Sequence, residues 1–67
     1  MNRKEIGLKL QELRGEKPRR EVAEDLGIGL STLRMYENGE RNPRDEIKFK
    51  IAQYYNVSVA DIFFGQQ

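Results

Sequence analysis

Two residue types that carry much of protein chemistry are missing from this sequence of 67 residues, which contains no cysteine and no histidine. The missing cysteine excludes disulfides and thiolate metal sites. The missing histidine removes the commonest metal ligand and the commonest acid–base catalyst. We therefore expect no metal site and no cofactor, and no motif in the sequence indicates a small-molecule ligand.

The sequence also lacks the arrangements on which enzymes usually depend. It has no glycine-rich phosphate-binding loop and no pair of carboxylates at a convincing spacing. Ser31, Ser58 and the lysines have no evident base beside them, which leaves no candidate nucleophile. We therefore expect that the protein is not an enzyme, and we assign no catalytic residue.

Long hydrophobic runs are missing as well. No apolar run approaches the roughly 20 residues that a membrane-spanning helix needs. The first five residues are polar and lead into an amphipathic pattern, unlike a signal peptide. These features predict a cytoplasmic protein without a membrane partner. A length of 67 residues gives room for one domain, residues 1–67, with one small core. Helix packing and self-association are then the remaining sources of stability.

Hydrophobic residues recur with helical spacing in five short segments. Glycine, asparagine or proline residues lie between these segments. Asn2 and Glu5 form a capping-box pattern that predicts where the first helix begins, and Gly15 marks its end. In the fourth helix, Asn42 is the expected N-cap residue and Pro43 the first helical residue. No strand pattern is present, so the predicted fold class is all-α. The later helices are predicted over residues 19–26, 30–38 and 43–55, with a short fifth helix from Ser58 to about Phe64.

The second and third predicted helices share a pattern of small and apolar residues. Ala23 is small, as is needed where two helices cross closely, and Gly27 suits the tight turn between them. Leu33, ten residues after Ala23, is apolar and fits a position that locks the third helix to the second. This is the spacing of a DNA-binding helix-turn-helix motif.

Two longer runs, EVAEDLGI at residues 21–28 and YENGERNP at residues 36–43, resemble the lambda-repressor-like (Cro/cI-type, XRE) helix-turn-helix family. The run IAQYYNVS at residues 51–58 is similar to the fourth helix of that family and the turn into its fifth. The pairs Ile6-Gly7 and Leu13-Arg14 fit its first helix, so the resemblance covers nearly the whole chain. It implies a five-helix lambda-repressor-like domain whose partner is double-stranded DNA.

The resemblance also implies that the third helix is the recognition helix, which lies in the major groove. Arg34 has the reach to donate two hydrogen bonds to a guanine, whereas an apolar side chain suits a thymine methyl group. The alternative, for Arg34 and Met35 above all, is an ordinary solvent-facing side chain. The predicted base contacts are Leu30, Ser31, Thr32, Arg34 and Met35.

Phosphate contacts are expected from cationic and amide side chains around that helix. Arg19 stands where the family usually has glutamine, and its longer cationic side chain suggests a contact with phosphate or guanine. For Arg41 and Arg44 the alternative is a solvated charge without a partner. A net charge of +1 is compatible with such contacts if the acidic residues lie on another face. The predicted phosphate contacts are Arg19, Arg20, Asn38, Arg41, Asn42 and Arg44.

Glu37 lies inside the second of the long runs, yet we interpret it as a structural residue. Its family role is an ion pair with Arg14 of the first helix, and the alternative is a free glutamate on the surface. Phe63 and Phe64 adjoin the end of the chain. Most of the aromatic residues should be in the core, but an exposed pair at this position would suit the interface of a two-fold dimer.

Together these features predict a homodimeric transcriptional regulator, a repressor that binds a short palindromic operator. The resemblance implies a bacterial or phage-infected cell. The alternative is a protein-interaction module on the same scaffold, such as an antitoxin or an accessory subunit. The third helix carries one charged residue, Arg34, and two apolar ones, Leu30 and Met35, a surface that a protein groove also tolerates.

Overall fold

Five α-helices form the framework of the protein, which we describe from a computed structural model over residues 2–64. These residues contain no β-strand, which confirms the predicted all-α fold. No helix among them has the length and apolar character that crossing a membrane requires. In chain order the helices are α1 (Arg3–Arg14), α2 (Arg19–Leu26), α3 (Leu30–Glu37), α4 (Asp45–Tyr55) and α5 (Val59–Phe63).

Local signals set most of the helix ends. The Asn2 side chain accepts a hydrogen bond from the Glu5 backbone N–H at 2.8 Å, and the Glu5 carboxylate accepts one from the Asn2 N–H at 3.1 Å. This reciprocal pair is the predicted capping box. Gly27 and Asn56 end α2 and α4 in the left-handed conformation, with φ of 70° and 58°. Glycine adopts that conformation without steric cost, and asparagine tolerates it better than most residues.

The predicted start of α4 is wrong by two residues. The N-cap residue is Arg44 rather than Asn42, and the helix begins at Asp45. Pro43 is buried outside the helix, so its ring anchors the preceding loop instead of opening the first turn. Asp45 and Glu46 then place negative charge in the first turn, where the helix dipole favours it.

The core is built from one apolar face of each helix. Ala23 and Leu33, which the sequence predicts to pack α2 against α3, are buried, and Ile51 and Ala52 are buried on α4. Leu13, Ile28, Ile47 and Tyr55 are partly buried and pack against this core. The buried apolar side chains are Ile6, Leu10, Val22, Ala23, Leu26, Leu33, Tyr36, Ile51, Ala52, Ile62 and Phe63.

The expectation of an exposed Phe63–Phe64 pair is wrong for Phe63. Its side chain is 3% exposed and belongs to the core, whereas Phe64 is 63% exposed. The single short helix α5 turns Ile62 and Phe63 inward together, because a small domain gains most from burying its largest apolar side chains. Phe64 follows as the C-cap residue and remains outside.

Helices α1 and α3 approach each other closely at Gly7. A Cβ atom on Gly7 would overlap the backbone carbonyl of Glu37 and lie 3.0 Å from the backbone nitrogen of Gly39. Both obstacles are backbone atoms, which cannot turn aside as a side chain does. Glycine at this position therefore fixes where the last turn of α3 lies against α1.

We expect Gly7→Ala to lower the free energy of unfolding by about 1–3 kcal/mol, because the added methyl group forces α1 away from α3. Urea denaturation followed by circular dichroism measures the change. Leu8→Ala on the exposed side of the same helix is the control, and it should change stability by only about 0.5 kcal/mol. Equal effects of the two substitutions would contradict the close approach.

Candidate nucleic-acid interface

Helix α3 has a buried face and an exposed face. Leu33, Tyr36 and Glu37 are buried against the rest of the protein. A turn of 100° per residue places Ser31 and Met35 on the opposite side of the helix from Leu33. Ser31 is exposed, and Met35 is half-buried. The outer face of α3 is therefore short, with the polar Ser31 near its start and the apolar Met35 farther along the helix.

Three of the predicted base-contact residues lie elsewhere around α3. Arg34 is exposed beside the outer face, and Thr32 is half-buried on the other flank. Leu30 is half-buried and, four residues before Arg34, lies on the same flank of α3 as that arginine.

A groove separates the first half of α3 from the segment that precedes α4. Its polar lining includes Thr32, Arg41, Asn42 and Arg44, so the fold brings three predicted phosphate contacts beside one predicted base contact. Gly29, the N-cap residue of α3, lines the same groove and offers no side chain to the free N–H groups of the first turn. Two guanidinium groups and a helix N-terminus give this groove a positive potential.

Asn38 lies at the other end of α3, where the sequence placed another phosphate contact. It is exposed, and it shares a shallow groove with Lys4, Leu8 and Gln11 of α1. Lys4 was not among the predicted contact residues. No local pattern marks it, because only the packing of α1 on α3 brings its cationic side chain next to Asn38.

The two arginines at the start of α2 have different surroundings. Arg20 is exposed. Arg19 is half-buried, and its Nε donates a hydrogen bond to the Oε1 atom of Glu37 at 2.7 Å. The role predicted for Arg19, a contact with phosphate or guanine, did not include this ion pair.

Glu37 ends α3 as a buried charge, with 1% of its surface exposed. Arg14 Nε donates to its Oε2 atom at 2.8 Å, so the predicted pair with Arg14 is confirmed and the free surface glutamate is excluded. Its backbone carbonyl accepts a hydrogen bond from Gln11 Nε2 at 2.8 Å. Burial raises the pKa of neighbouring Tyr55 to about 12, and the charge of Glu37 adds to that rise. Two guanidinium groups thus compensate a carboxylate that would otherwise be costly to bury.

The chain also matches a known protein family over almost its entire length. A family model described as helix-turn-helix matches residues 2–62. The chain belongs to the Cro/cI-type helix-turn-helix family. Members of this family are DNA-binding transcriptional regulators, and in the present member α2 and α3 are the two helices of the motif.

Two curated proteins are similar to this family member. The cryptic phage CTXphi transcriptional repressor RstR of Vibrio cholerae is 36% identical over 56 residues, which are 81% of this chain and 50% of that protein. An uncharacterised helix-turn-helix-type transcriptional regulator of Methanocaldococcus jannaschii is 35% identical over 43 residues, which are 64% of this chain and 65% of that protein. The chain thus spans about half to two thirds of the relatives it matches. No solved structure matches it.

The burial of Glu37 leads to a stability prediction. We expect Glu37→Gln to lower the free energy of unfolding by about 3–5 kcal/mol, because it leaves two guanidinium groups without their buried counter-ion. That is most of the stability a domain of this size usually has. Urea denaturation measures the loss, with Glu12→Gln as the matched control. Glu12 pairs with Lys9 at 3.7 Å on the surface, and its loss should cost at most about 1 kcal/mol.

A Glu37→Gln variant as stable as the wild type would show that the two arginines do not depend on the carboxylate charge.

Proposed function

We propose that this protein is a sequence-specific DNA-binding repressor that inserts α3 into the major groove. The observation that carries the proposal is that α3 has one buried face and one exposed face. Cationic or amide side chains lie beyond each end of the exposed face. Ser31, Arg34 and Met35 then read base edges. The exposed face has the width of one helix, which the major groove of B-DNA accommodates.

Phosphate contacts flank this recognition surface on both sides in the proposed complex. Arg41, Asn42 and Arg44 approach one strand beside the start of α3, and Asn38 approaches the backbone beyond its end. Such contacts set the register of the protein on the duplex, whereas the residues on α3 select the sequence. Thr32 lines the groove with the first group and is able to serve either purpose.

We further propose that the protein binds a palindromic operator as a homodimer, with Phe64 at the interface. Phe64 is a large apolar side chain left mostly exposed, and Lys48 Nζ lies 5.4 Å from the centre of its ring. The same ammonium group lies 5.5 Å from the ring of buried Phe63, which anchors this end of α5. Phe63 thus supports the interface from the core rather than contacting the partner. Dimers of this motif bind half-sites about 34 Å apart.

The position of Leu30 bears on the alternative, a protein-interaction module such as an antitoxin. That alternative depends on an apolar surface made by Leu30 and Met35. Leu30 and Met35 are both half-buried, so little apolar area is offered there. The similarity to the phage transcriptional repressor of Vibrio cholerae also favours DNA as the partner and a bacterial or phage-infected cell.

Selection of bound duplexes from a random DNA pool at two salt concentrations tests the proposed function. We expect a short palindrome to be enriched, and its affinity to fall steeply with salt as counter-ions are released. Enrichment of no sequence by the folded protein would contradict DNA recognition. Weak salt dependence with binding of a protein partner would instead favour the interaction module.

Two arginine variants separate base contacts from phosphate contacts in the same selection. Arg34→Ala should cost about 1–3 kcal/mol on the selected site and relax the preference at one base position. Arg41→Ala, the control, removes the same side chain from the groove beside α3. It should weaken binding to all sequences alike and leave the selected sequence unchanged. A selected sequence that is the same for both variants would exclude Arg34 from base recognition.

Sedimentation equilibrium over a range of protein concentrations tests the proposed dimer. We expect the wild type to dimerise and Phe64→Ala to shift the equilibrium to the monomer, because the interface loses its largest apolar side chain. Leu8→Ala is the matched control, since Leu8 is 65% exposed on α1. Equal dimerisation of Phe64→Ala and the wild type would exclude this interface.

A further inference from the structure

The ion cluster around Glu37 contains more positive charge than the buried carboxylate needs. Two guanidinium groups, those of Arg14 and Arg19, each donate through Nε to a different oxygen of a single carboxylate. One arginine would suffice to balance the charge of Glu37. The cluster therefore carries a surplus positive charge within the cationic surroundings of the recognition helix.

That surplus charge lies at Arg19 rather than at Arg14. The Arg14 side chain is 16% exposed, and its Nη1 donates to the backbone carbonyl of Lys17 at 2.8 Å. The Arg19 side chain is 33% exposed. Within residues 2–64, its guanidinium has one hydrogen bond, the one from Nε to Glu37, so both Nη groups keep their donors.

The hydrogen bond to Glu37 also fixes the orientation of this guanidinium. The group is planar and rigid, and its donors form a fork that matches the oxygens of carboxylates and phosphates. Nε–H is directed to the buried carboxylate, and the donors that remain are on the Nη groups of a side chain that is 33% exposed. The Arg19 side chain has therefore already lost, in the free protein, the conformational freedom that DNA binding would otherwise remove.

We propose that Arg19 bridges the buried Glu37 carboxylate to one DNA phosphate, and that Glu37 is thereby a positioning residue for DNA binding. This inference rests on the proposed function. Glu37 is out of reach of DNA because its side chain is fully buried. It is also the last residue of α3, so the phosphate contact is held in register with the helix that reads the bases.

A matched pair of substitutions tests the bridge. Arg14→Gln and Arg19→Gln each remove one cationic partner of Glu37, but only the second removes the cation that is proposed to bind a phosphate. We expect Arg19→Gln to bind the selected duplex at least about ten-fold more weakly. It should also reduce the slope of log affinity against log salt by about 0.9 for each phosphate that the protein no longer neutralises. Arg14→Gln, measured where it is folded, should keep the wild-type slope.

Duplexes with single phosphates replaced by neutral methylphosphonate locate the contact. One replacement in each half-site should weaken the wild type and Arg14→Gln, and it should have little effect on Arg19→Gln. Loss of the same sensitivity in both arginine variants would mean that Arg19 acts only through the stability of the fold, and it would overturn the proposal.

Arg19→Lys tests whether Glu37 positions the contact. Lysine keeps the charge, but its three donors are all on one nitrogen, so a lysine paired with the buried carboxylate lacks the second set of donors that the guanidinium extends to the phosphate. We expect Arg19→Lys to stay folded, to pair with Glu37 and to lose the methylphosphonate sensitivity. A lysine variant with wild-type affinity and wild-type sensitivity would show that the contact needs only a cation, and it would overturn the role of Glu37.

These outcomes separate the two proposals. If the wild type enriches no DNA sequence, the proposed function fails and the bridge fails with it. If the wild type binds its selected duplex while Arg14→Gln and Arg19→Gln give the same salt slope, the bridge alone is wrong.

Discussion

The arrangement of the helices depends on how the Glu37 carboxylate is satisfied inside the protein. Its two oxygens are bound by arginines from the end of α1 and the start of α2, while Glu37 itself ends α3. Three helices thus meet at one buried charge, and none of them can move without breaking a hydrogen bond to that carboxylate. A carboxylate in a low-dielectric interior tolerates little displacement from its partners, so this constraint is stiff.

Apolar packing alone would position α3 less firmly. The Gly7 backbone lies against the last turn of α3, and Gln11 donates to the carbonyl of Glu37. The close backbone contact at Gly7 and the hydrogen bonds of Glu37 both hold the last turn of α3 in place. Their combination gives a domain with a small apolar core a well-defined position for α3.

Much of this arrangement could be predicted from the sequence because its signals are local. The caps at Asn2 and Gly27 and the periodicity of α2 need only neighbouring residues, and they fixed the helices almost to the residue. The start of α4 was misjudged because the burial of Pro43 depends on tertiary packing. The second partner of Glu37 was missed for a similar reason, since Arg19 looks the same in the sequence whether it faces solvent or a buried carboxylate.

The two faces of α3 have a consequence for how such a protein changes over generations. The residues that hold the helix in place, Leu33, Tyr36 and Glu37, are buried, whereas Ser31 and Arg34 are exposed and make no contact on which the fold depends. Substitutions at the exposed positions are therefore nearly free of stability cost. In the proposed DNA complex, the sequence that α3 selects can therefore change while the buried residues that position the helix stay the same.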